Sequence, residues 1–566
     1  MIRMFSTHEI RPQEELSESL WDFTPLEGEQ AGQTRKVLVP GCWETLPGLR
    51  SYRGIGRYAR RFFGGGNLRL EFKGVSHTAK VFLDGEQIAF HYNAYTPFSA
   101  VKPGVKEGEH LLEVIVDNRF TPESALHIPN DYMTYGGITR PVALERVGSA
   151  YLEWAHYTPF FRDGRWHCRA EVCVKGVEAD QPADVWVRLR GKAFYLGAAA
   201  PGPKEEAFLA AELDLADREI LPWSPETPRL YRAEAFLMRA QEKVDDLIDR
   251  IGFREIKVQG DRILLNGEAL RIRGVCRHED WEASGCALTT AQMQQDLNLL
   301  KDLGGNSVRT THYPNDERFL DLCDEQGILV WEENHARGLV EEDMRNPHFE
   351  EQCEQVNREM VAAHYNHPAI YIWGILNECA SETEYGRECY ARQLHQLRSL
   401  DQSRPLTFAT CRFSHDRNGE NFVLNDICMD LPDVASFNMY PLWYFDCDVS
   451  RFLEQVHGAL SQTAAADKPF LVSEIGAGAE YGYHADEEEK WSEEYQAAAL
   501  ERQLNAVLSD GRCTGVYIWQ FADVRVSREW FGGRPRSHNN KGIVDEYRRP
   551  KLAYRRVREI FRRDSL

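Results

Sequence analysis

The stretch YIWGILNECAS, residues 371 to 381, runs as an apolar strand from Tyr371 to Leu376 and then stops at Asn377 and Glu378. A carboxylate at the end of a buried strand is costly unless it finds a partner or sheds its charge. A second stretch, PFLVSEIGA, ends the same way at Glu474. Two carboxylates flanking one cleft have a specific use. One gives a proton to the leaving oxygen of a glycosidic bond, while the other attacks the anomeric carbon or activates water. Their repulsion helps separate the two ionisations. The plainer alternatives are a solvated turn at Glu378 and an acidic rim on a chain with 88 acidic residues.

The elements that would carry these residues decide between the readings. From residue 255 onward, strands alternate with amphipathic helices. LRIRGVCRHED is followed by TTAQMQQDLNLLKDLGG, NSVRTTHYP by DERFLDLCDEQG, ILVWEEN by FEEQCEQVNREMVAAHYN, and AIYIWGILNE by YGRECYARQLHQLRSL. PLTFATC, VASFNMY, PFLVSEIGA and GVYIWQFAD bring the strands to eight. This alternation predicts a (β/α)8 TIM barrel, whose active face is the C-terminal end of its strands. A doubly wound open sheet is the alternative, but no Gly-rich phosphate loop follows the first strand. The predicted tips are Arg277-His278-Glu279-Asp280, His312, Glu333-Asn334-His335, Asn377-Glu378, Asn438 with Tyr440, Glu474, and Trp519 with Asp523. Polar endings on nearly every strand point to one convergent pocket. In that geometry the fourth tip, Glu378, faces the seventh, Glu474.

The chain before the barrel has a β texture. LRLEFKGVSHTAKVFLDGEQIAFH alternates at period two and turns at Asp84-Gly85, and HLLEVIVDN and ADVWVRLRG are further strands. The expected organisation is a β-sandwich over 1–150, a second sandwich over 151–254 and the barrel over 255–566. The 566 residues carry a net charge of −21, which argues against nucleic acid or an anionic membrane as partner. An anionic substrate would then need a local cation. Thirteen scattered cysteines without a C-x-x-C pair suggest neither a disulfide framework nor a zinc ribbon. The N-terminal MIRMFSTHEIRPQEE has no apolar core, so the expectation is a reduced cytoplasmic protein.

RGVCRHED, NSVRTTHYPND, WGILNE and LVSEIGAGAEYG, in this order, together resemble glycoside hydrolase family 2. The resemblance covers nearly the whole chain. It implies a sugar-binding-like jelly-roll sandwich, an immunoglobulin-like sandwich and a catalytic barrel. It also implies a retaining mechanism with Glu378 as general acid/base, Glu474 as nucleophile and Asn377 on the sugar 2-hydroxyl. Members acting on uronic acids carry an N-x-K signature after the eighth strand, and Asn539-Asn540-Lys541 fits it. Lys541 is then the local cation that a hexuronide carboxylate requires, and Asn539 supplies an amide donor. Arg534 and Arg536 would add positive field.

Further residues carry over from the resemblance. Tyr440 resembles the tyrosine that contacts the nucleophile, and Trp519 the aromatic floor of the sugar subsite. Asp131 resembles an aspartate that β-glucuronidases extend from the first sandwich toward the sugar 4-hydroxyl. His278 and His312 are expected as sugar contacts or pocket-wall groups, since their spacing fits no standard zinc pattern. The retaining mechanism needs neither metal nor cofactor. The chain departs from typical β-glucuronidases at EENHARGL, where His335 and Arg337 stand in place of a small apolar stretch. These residues lead to an exo-β-hexuronidase acting on small-molecule or oligosaccharide β-hexuronides, with galacturonide favoured over glucuronide and Arg337 as the discriminating contact. A β-glucuronidase proper, a β-galactosidase and a non-catalytic carbohydrate-binding protein are the alternatives. The family resemblance favours a homo-oligomer.

Overall fold

The structure is a computed structural model, and it describes residues 1–177, 182–202, 206–215, 219–416 and 421–564. In the N-terminal part, eight antiparallel strands join in one sheet around a single apolar cluster that includes Trp21, Phe23, Trp43, Leu70, Val114 and Val116. Its longest strands, Ile55–Phe72 and Phe98–Asp117, pair along their length. Period-two alternation sets the inner face: Leu112, Val114 and Val116 are buried, while Leu111, Glu113 and Ile115 are only partly so. The predicted turn at Asp84-Gly85 is a hairpin with both residues at positive φ, 50° and 83°.

The next part packs a three-stranded sheet (Tyr151–Arg162, Arg165–Lys175, Glu206–Leu213) on a four-stranded one (Ala183–Leu189, Lys192–Ala199, Tyr231–Arg239, Glu242–Ile251). Val172, Val174, Val185, Val187 and Leu237 fill the space between them. This is the second sandwich that the strand pattern predicted, in the immunoglobulin-like arrangement that the family resemblance implied.

The catalytic-type barrel is closed and fully parallel. Its strands are Ile272–Arg277, Ser307–Thr310, Leu329–Glu333, Ile370–Ile375, Leu406–Thr410, Val434–Asn438, Phe470–Ile475 and Cys513–Ile518. All residues of these strands are buried except the half-buried Arg273, as expected where helices cover the outside and side chains fill the inside. Inside, the Tyr517 hydroxyl bonds to those of Ser307 (2.7 Å) and Tyr371 (2.9 Å). Arg309, two residues beyond Ser307, lies on the same face one layer nearer the mouth. Helices follow seven of the strands; the first, Thr290–Leu303, opens on a Thr289–Gln292 capping box and ends at Gly304 with φ 85°. After the fifth strand the described residues form a short hairpin, Phe413–Ser414 with Val423–Leu424, instead of a helix.

The parts are joined by buried ion pairs. Arg11 bridges Glu145 (2.9 Å) and Asp245 (2.8 Å), and Arg3 bridges Glu317 (2.6 Å) and Asp321 (2.7 Å). Arg140 holds Glu279 at 2.7 Å and the Pro314 carbonyl at 2.6 Å. The segment around Asn130–Tyr135 is held against the barrel mouth by Tyr135 donating to Asp280 (2.9 Å) and Arg337 donating to Asn130 (2.8 Å). Among the described residues no helix is long and apolar enough to cross a membrane, and all thirteen cysteines are free thiols.

Candidate active site

The fourth strand ends in a strained turn, with Leu376 at φ 44° and Glu378 at φ 53°. The left-handed region costs a non-glycine residue on the order of 1–3 kcal/mol, so neighbours must enforce it. Asn334 accepts from the Leu376 amide at 3.1 Å, Tyr390 donates to the Leu376 carbonyl at 2.6 Å, and the Glu378 amide donates to the Ala409 carbonyl at 2.9 Å. Arg412 donates to the Glu378 carbonyl at 2.8 Å. The third and fifth strands thus turn Asn377 and Glu378 into the mouth.

Arg309 organises the floor. Its guanidinium reaches Glu474 Oε1 (2.9 Å) through one terminal nitrogen and Asn377 Oδ1 (2.7 Å) through the other. It also forms a fork on Glu333, at 3.0 Å to each oxygen. The Tyr440 hydroxyl donates to Glu474 Oε2 at 2.5 Å. Asn438 donates to Asn377 Oδ1 (3.1 Å) and Glu378 Oε1 (2.9 Å), its own amide held in place by Ser473 (2.7 Å). One asparagine therefore touches the acid of the fourth strand while its neighbourhood holds that of the seventh. Burial pushes the Glu474 carboxyl up to about 8; Glu378 pushes the same way, while Arg309, Tyr440 and Arg337 pull against it.

Across the mouth lies a cationic side. Lys541 is 2% exposed and has no carboxylate partner among the described residues. Its ammonium stands 5.3 Å from the Tyr444 ring, 5.5 Å from Trp443 and 5.9 Å from Tyr440. Burial, helped by Arg534 and Arg337 and opposed by Asp131 and Glu474, lowers its pKa to about 7. The loop is anchored behind it: Asp523 pairs with Lys551 (2.8 Å) and accepts the Gly542 amide (2.9 Å). Gly542 is required there, since a Cβ would lie 2.2 Å from the Asp523 nitrogen.

Asp131 reaches this side from the N-terminal sandwich. It pairs with Arg337 (3.0 Å) and Arg534 (2.9 Å) and accepts from Asn539 (3.0 Å), while Arg337 also donates to Asn130 (2.8 Å). Burial alone would raise the Asp131 pKa, but Arg337, Arg534 and Lys541 hold it below the ordinary value. Asp131 and Arg337, expected as separate sugar contacts, are therefore partners of each other. Arg534 joins the cluster, whereas Arg536 turns away to Glu546 at 2.9 Å.

Trp519 stacks on His312 (5.1 Å, 21°) and meets His278 edge-on at 5.4 Å. Burial lowers His278 to about 3 and holds His312 well below the usual imidazole range, so both rings are neutral. His278, Glu279 and Asp280 diverge to Tyr313 (3.2 Å), Arg140 (2.7 Å) and Tyr135 (2.9 Å), which is no shared metal set. His335 packs on Tyr95 (5.3 Å) and His127 (4.4 Å). Asn377 Nδ2, His278 Nε2, His312 Nε2, Asn539 Oδ1 and Arg337 Nε are buried at the mouth without a protein partner. A polyhydroxylated ligand could satisfy them. Sequence reasoning missed two residues here. Arg309 was passed over inside NSVRTTHYP, although an arginine in a four-residue buried strand was itself a signal. Glu333 was noted as a tip without a role.

The barrel matches the "Glycosyl hydrolases family 2, TIM barrel domain" over residues 256–563. The same family's sugar binding domain matches 37–147, and a further family 2 region matches 150–254. A β-glucuronidase from Paenibacillus borealis is 27% identical, covering 96% of this chain and 93% of that protein. The crystal structure of a β-galacturonidase from Eisenbergiella tayi bound to galacturonate is 54% identical, with a TM-score of 0.95 over 100% of this chain and 99% of that one. A β-D-glucuronidase of Dictyoglomus thermophilum is 26% identical, with a TM-score of 0.80 over 98% and 97% of the two chains. The barrel match spans more than half of the sequence, and the chain belongs to glycosyl hydrolases family 2.

Proposed function

We propose that this glycoside hydrolase is a retaining exo-β-hexuronidase that favours β-D-galacturonides and also cleaves β-D-glucuronides. The observation that carries the reading is Lys541, a buried lysine with no carboxylate partner among the described residues, beside a glutamate pair, in a chain of net charge −21. A neutral hexose gives that cation nothing, while the carboxylate of a hexuronide supplies its missing partner. Similarity to the galacturonate-bound β-galacturonidase supports the same class.

The chemistry follows from the hydrogen bonds. Arg309 and Tyr440 donate to Glu474 and favour its anion, which suits it to attack the anomeric carbon. Glu378 accepts from Asn438, takes the general-acid role toward the leaving oxygen, and then activates the water that releases the sugar. Asn377, whose Nδ2 is unpartnered, is assigned to the 2-hydroxyl, where a hydrogen bond strengthens in the transition state. Trp519 provides the apolar floor. His278 and His312 offer unpartnered Nε2 atoms to ring hydroxyls.

Discrimination at C4 is assigned to the Asp131–Arg337 pair, because a site that hydrogen-bonds a hydroxyl rejects the epimer that leaves its own groups unsatisfied. A β-glucuronidase proper is the second reading, favoured by the curated β-glucuronidases at 27% identity. The test is kcat/KM for p-nitrophenyl β-galacturonide and β-glucuronide, in wild type and Arg337→Ala. Galacturonide should be preferred, and the substitution should narrow the ratio. A wild-type preference for glucuronide, or a ratio that the substitution leaves unchanged, refutes the C4 assignment.

A further inference from the structure

Glu333 ends the third strand with only 1% of its surface exposed. Both of its oxygens are engaged within the protein. Oε2 takes Arg309 Nε at 3.0 Å; Oε1 takes an Arg309 terminal nitrogen at 3.0 Å and His312 Nδ1 at 2.7 Å. The fourth strand leaves space for this arrangement at Gly374, where a Cβ would lie 2.8 Å from Glu333 Cβ and 3.1 Å from Oε2. The guanidinium that Glu333 grips is the one whose remaining nitrogen holds Glu474. The imidazole it grips presents Nε2, unpartnered, 3.8 Å from the same Glu474 oxygen.

We infer that Glu333 is a positioning residue which, acting through Arg309 and His312, sets how firmly Glu474 is held as an anion and hence how strong a nucleophile it is. The inference rests on the reading of Glu474 as the nucleophile.

The physical argument has two parts. First, an anionic Glu333 balances the charge of Arg309, so Glu474 receives a hydrogen bond from a cation already neutralised by another carboxylate. Without that balance, Arg309 would stabilise the Glu474 anion more strongly and lower its basicity, and a less basic carboxylate attacks more slowly. Second, Glu333 chooses the tautomer of the neutral His312. An anionic Glu333 draws the imidazole proton to Nδ1 and leaves a lone pair on Nε2; a protonated one donates to Nδ1 and turns an N–H toward Glu474. Burial pushes Glu333 up to about 7, with Glu378 adding to the shift and Arg309 opposing it, so both settings lie near neutral pH.

Other groups facing this pair contribute fixed surroundings. They are Cys276 on the first strand and His278 beyond it, Arg337 beyond the third, Glu378 beyond the fourth, Cys411 beyond the fifth, Tyr440 beyond the sixth and Lys541 beyond the eighth. None of them bridges Arg309 and His312 as Glu333 does. A buried arginine–glutamate fork contributes little net stability compared with an apolar replacement, so packing alone does not account for it.

The test begins without substrate. Infrared difference spectra against a Glu474→Gln background give the pH at which Glu474 ionises, in otherwise wild-type enzyme and in Glu333→Gln. The midpoint should fall by about one pH unit or more in Glu333→Gln, and Glu333→Asp should keep it near the wild-type value. On a turned-over hexuronide, kcat on the plateau above the acid limb should fall about threefold in Glu333→Gln with KM nearly unchanged, the acid limb of kcat/KM should move to lower pH, and Glu333→Asp should restore most of the rate. If Glu333→Gln does not fold, Arg309→Lys substitutes, since removing the fork should raise the Glu474 midpoint. A midpoint unmoved by these variants overturns the inference, as does a Glu333→Asp rate no better than that of Glu333→Gln. Should wild type ignore every hexuronide while the midpoint still moves, the hexuronidase reading falls and the Glu333 linkage stands.

Discussion

Removing the Lys541 charge should cost a hexuronide far more than the matching neutral hexoside, and pH should control the difference. The ammonium is depressed from 10.5 to about 7, chiefly by burial and then by Arg534 and Arg337. Each pKa unit is about 1.4 kcal/mol, so a bound carboxylate that restored the entire shift would contribute about 5 kcal/mol, and one restoring half of it about 2.4 kcal/mol. The smaller value predicts a roughly 60-fold loss of kcat/KM in Lys541→Ala on a hexuronide near pH 6, with little loss on the hexoside. The sign follows from the shift. The free lysine is charged below about 7 and neutral above it, while the bound lysine stays charged to higher pH, so hexuronate binding above 7 takes up a proton and weakens as pH rises. Calorimetry of hexuronate binding in two buffers of different ionisation enthalpy counts that proton. With half of the shift restored, uptake should be about 0.8 at pH 8 and about 0.1 at pH 6. Equal uptake at both pH values, or equal losses on hexuronide and hexoside, would refute the assignment of Lys541 to the carboxylate.

Glu474→Gln should abolish turnover while leaving hexuronate binding measurable by calorimetry, and Glu378→Gln should suffer most on substrates with poor leaving groups, because an activated phenol needs little protonation. Product NMR immediately after cleavage should show the β-anomer first; an α-product would rule out the retaining route. Asp131→Asn should lower kcat/KM and melting temperature together, since Arg337 and Arg534 would be left facing one another; a loss of roughly 3–5 kcal/mol is the expected scale for an unpaired buried charge. Lys541→Met should raise the melting temperature at pH 6. A lysine whose folded pKa is depressed destabilises the fold below about 7, and this cost disappears as pH climbs toward its ordinary value of 10.5. An unchanged or lower melting temperature would contradict the cost of burying that ammonium.

The barrel and its two glutamates were legible because both rest on local pattern. Apolar runs of four to six residues ending in polar tips identify the strands, and strand order places the fourth tip opposite the seventh. Lys541 stood out in the sequence through its motif and through the local cation that an anionic substrate would need in an acidic chain, and its proposed role rests on both. The cluster around Asp131 was not. Its partners Arg337 and Arg534 lie more than 200 and 400 residues away, and no local periodicity reports a contact between a sandwich loop and a barrel rim. Arg534 and Arg536 are two residues apart in irregular chain, with Arg536 at φ 53°, so nothing in their spacing told which would face the pocket. Glu333 escaped for a different reason: Glu332 and Glu333 stand side by side, and only the pleat sends one to His364 (2.8 Å) and the other to Arg309. The hairpin after the fifth strand likewise replaces a helix where the sequence had no helical run to offer.

Asp131 belongs to a domain that supplies neither of the two glutamates, yet it is the anion that keeps Arg337 and Arg534 in place on the barrel rim. The barrel cut away from its sandwich would present two adjacent guanidinium groups with no counter-charge, so the rim's shape is a joint property of both parts. Variation in the loop around Asn130–Tyr132 can therefore reshape the rim of the barrel mouth while every residue of the eight strands stays fixed. On the proposed reading, the chemistry and the choice of substrate could evolve on separate stretches of chain, coupled at the rim through the Asp131 carboxylate.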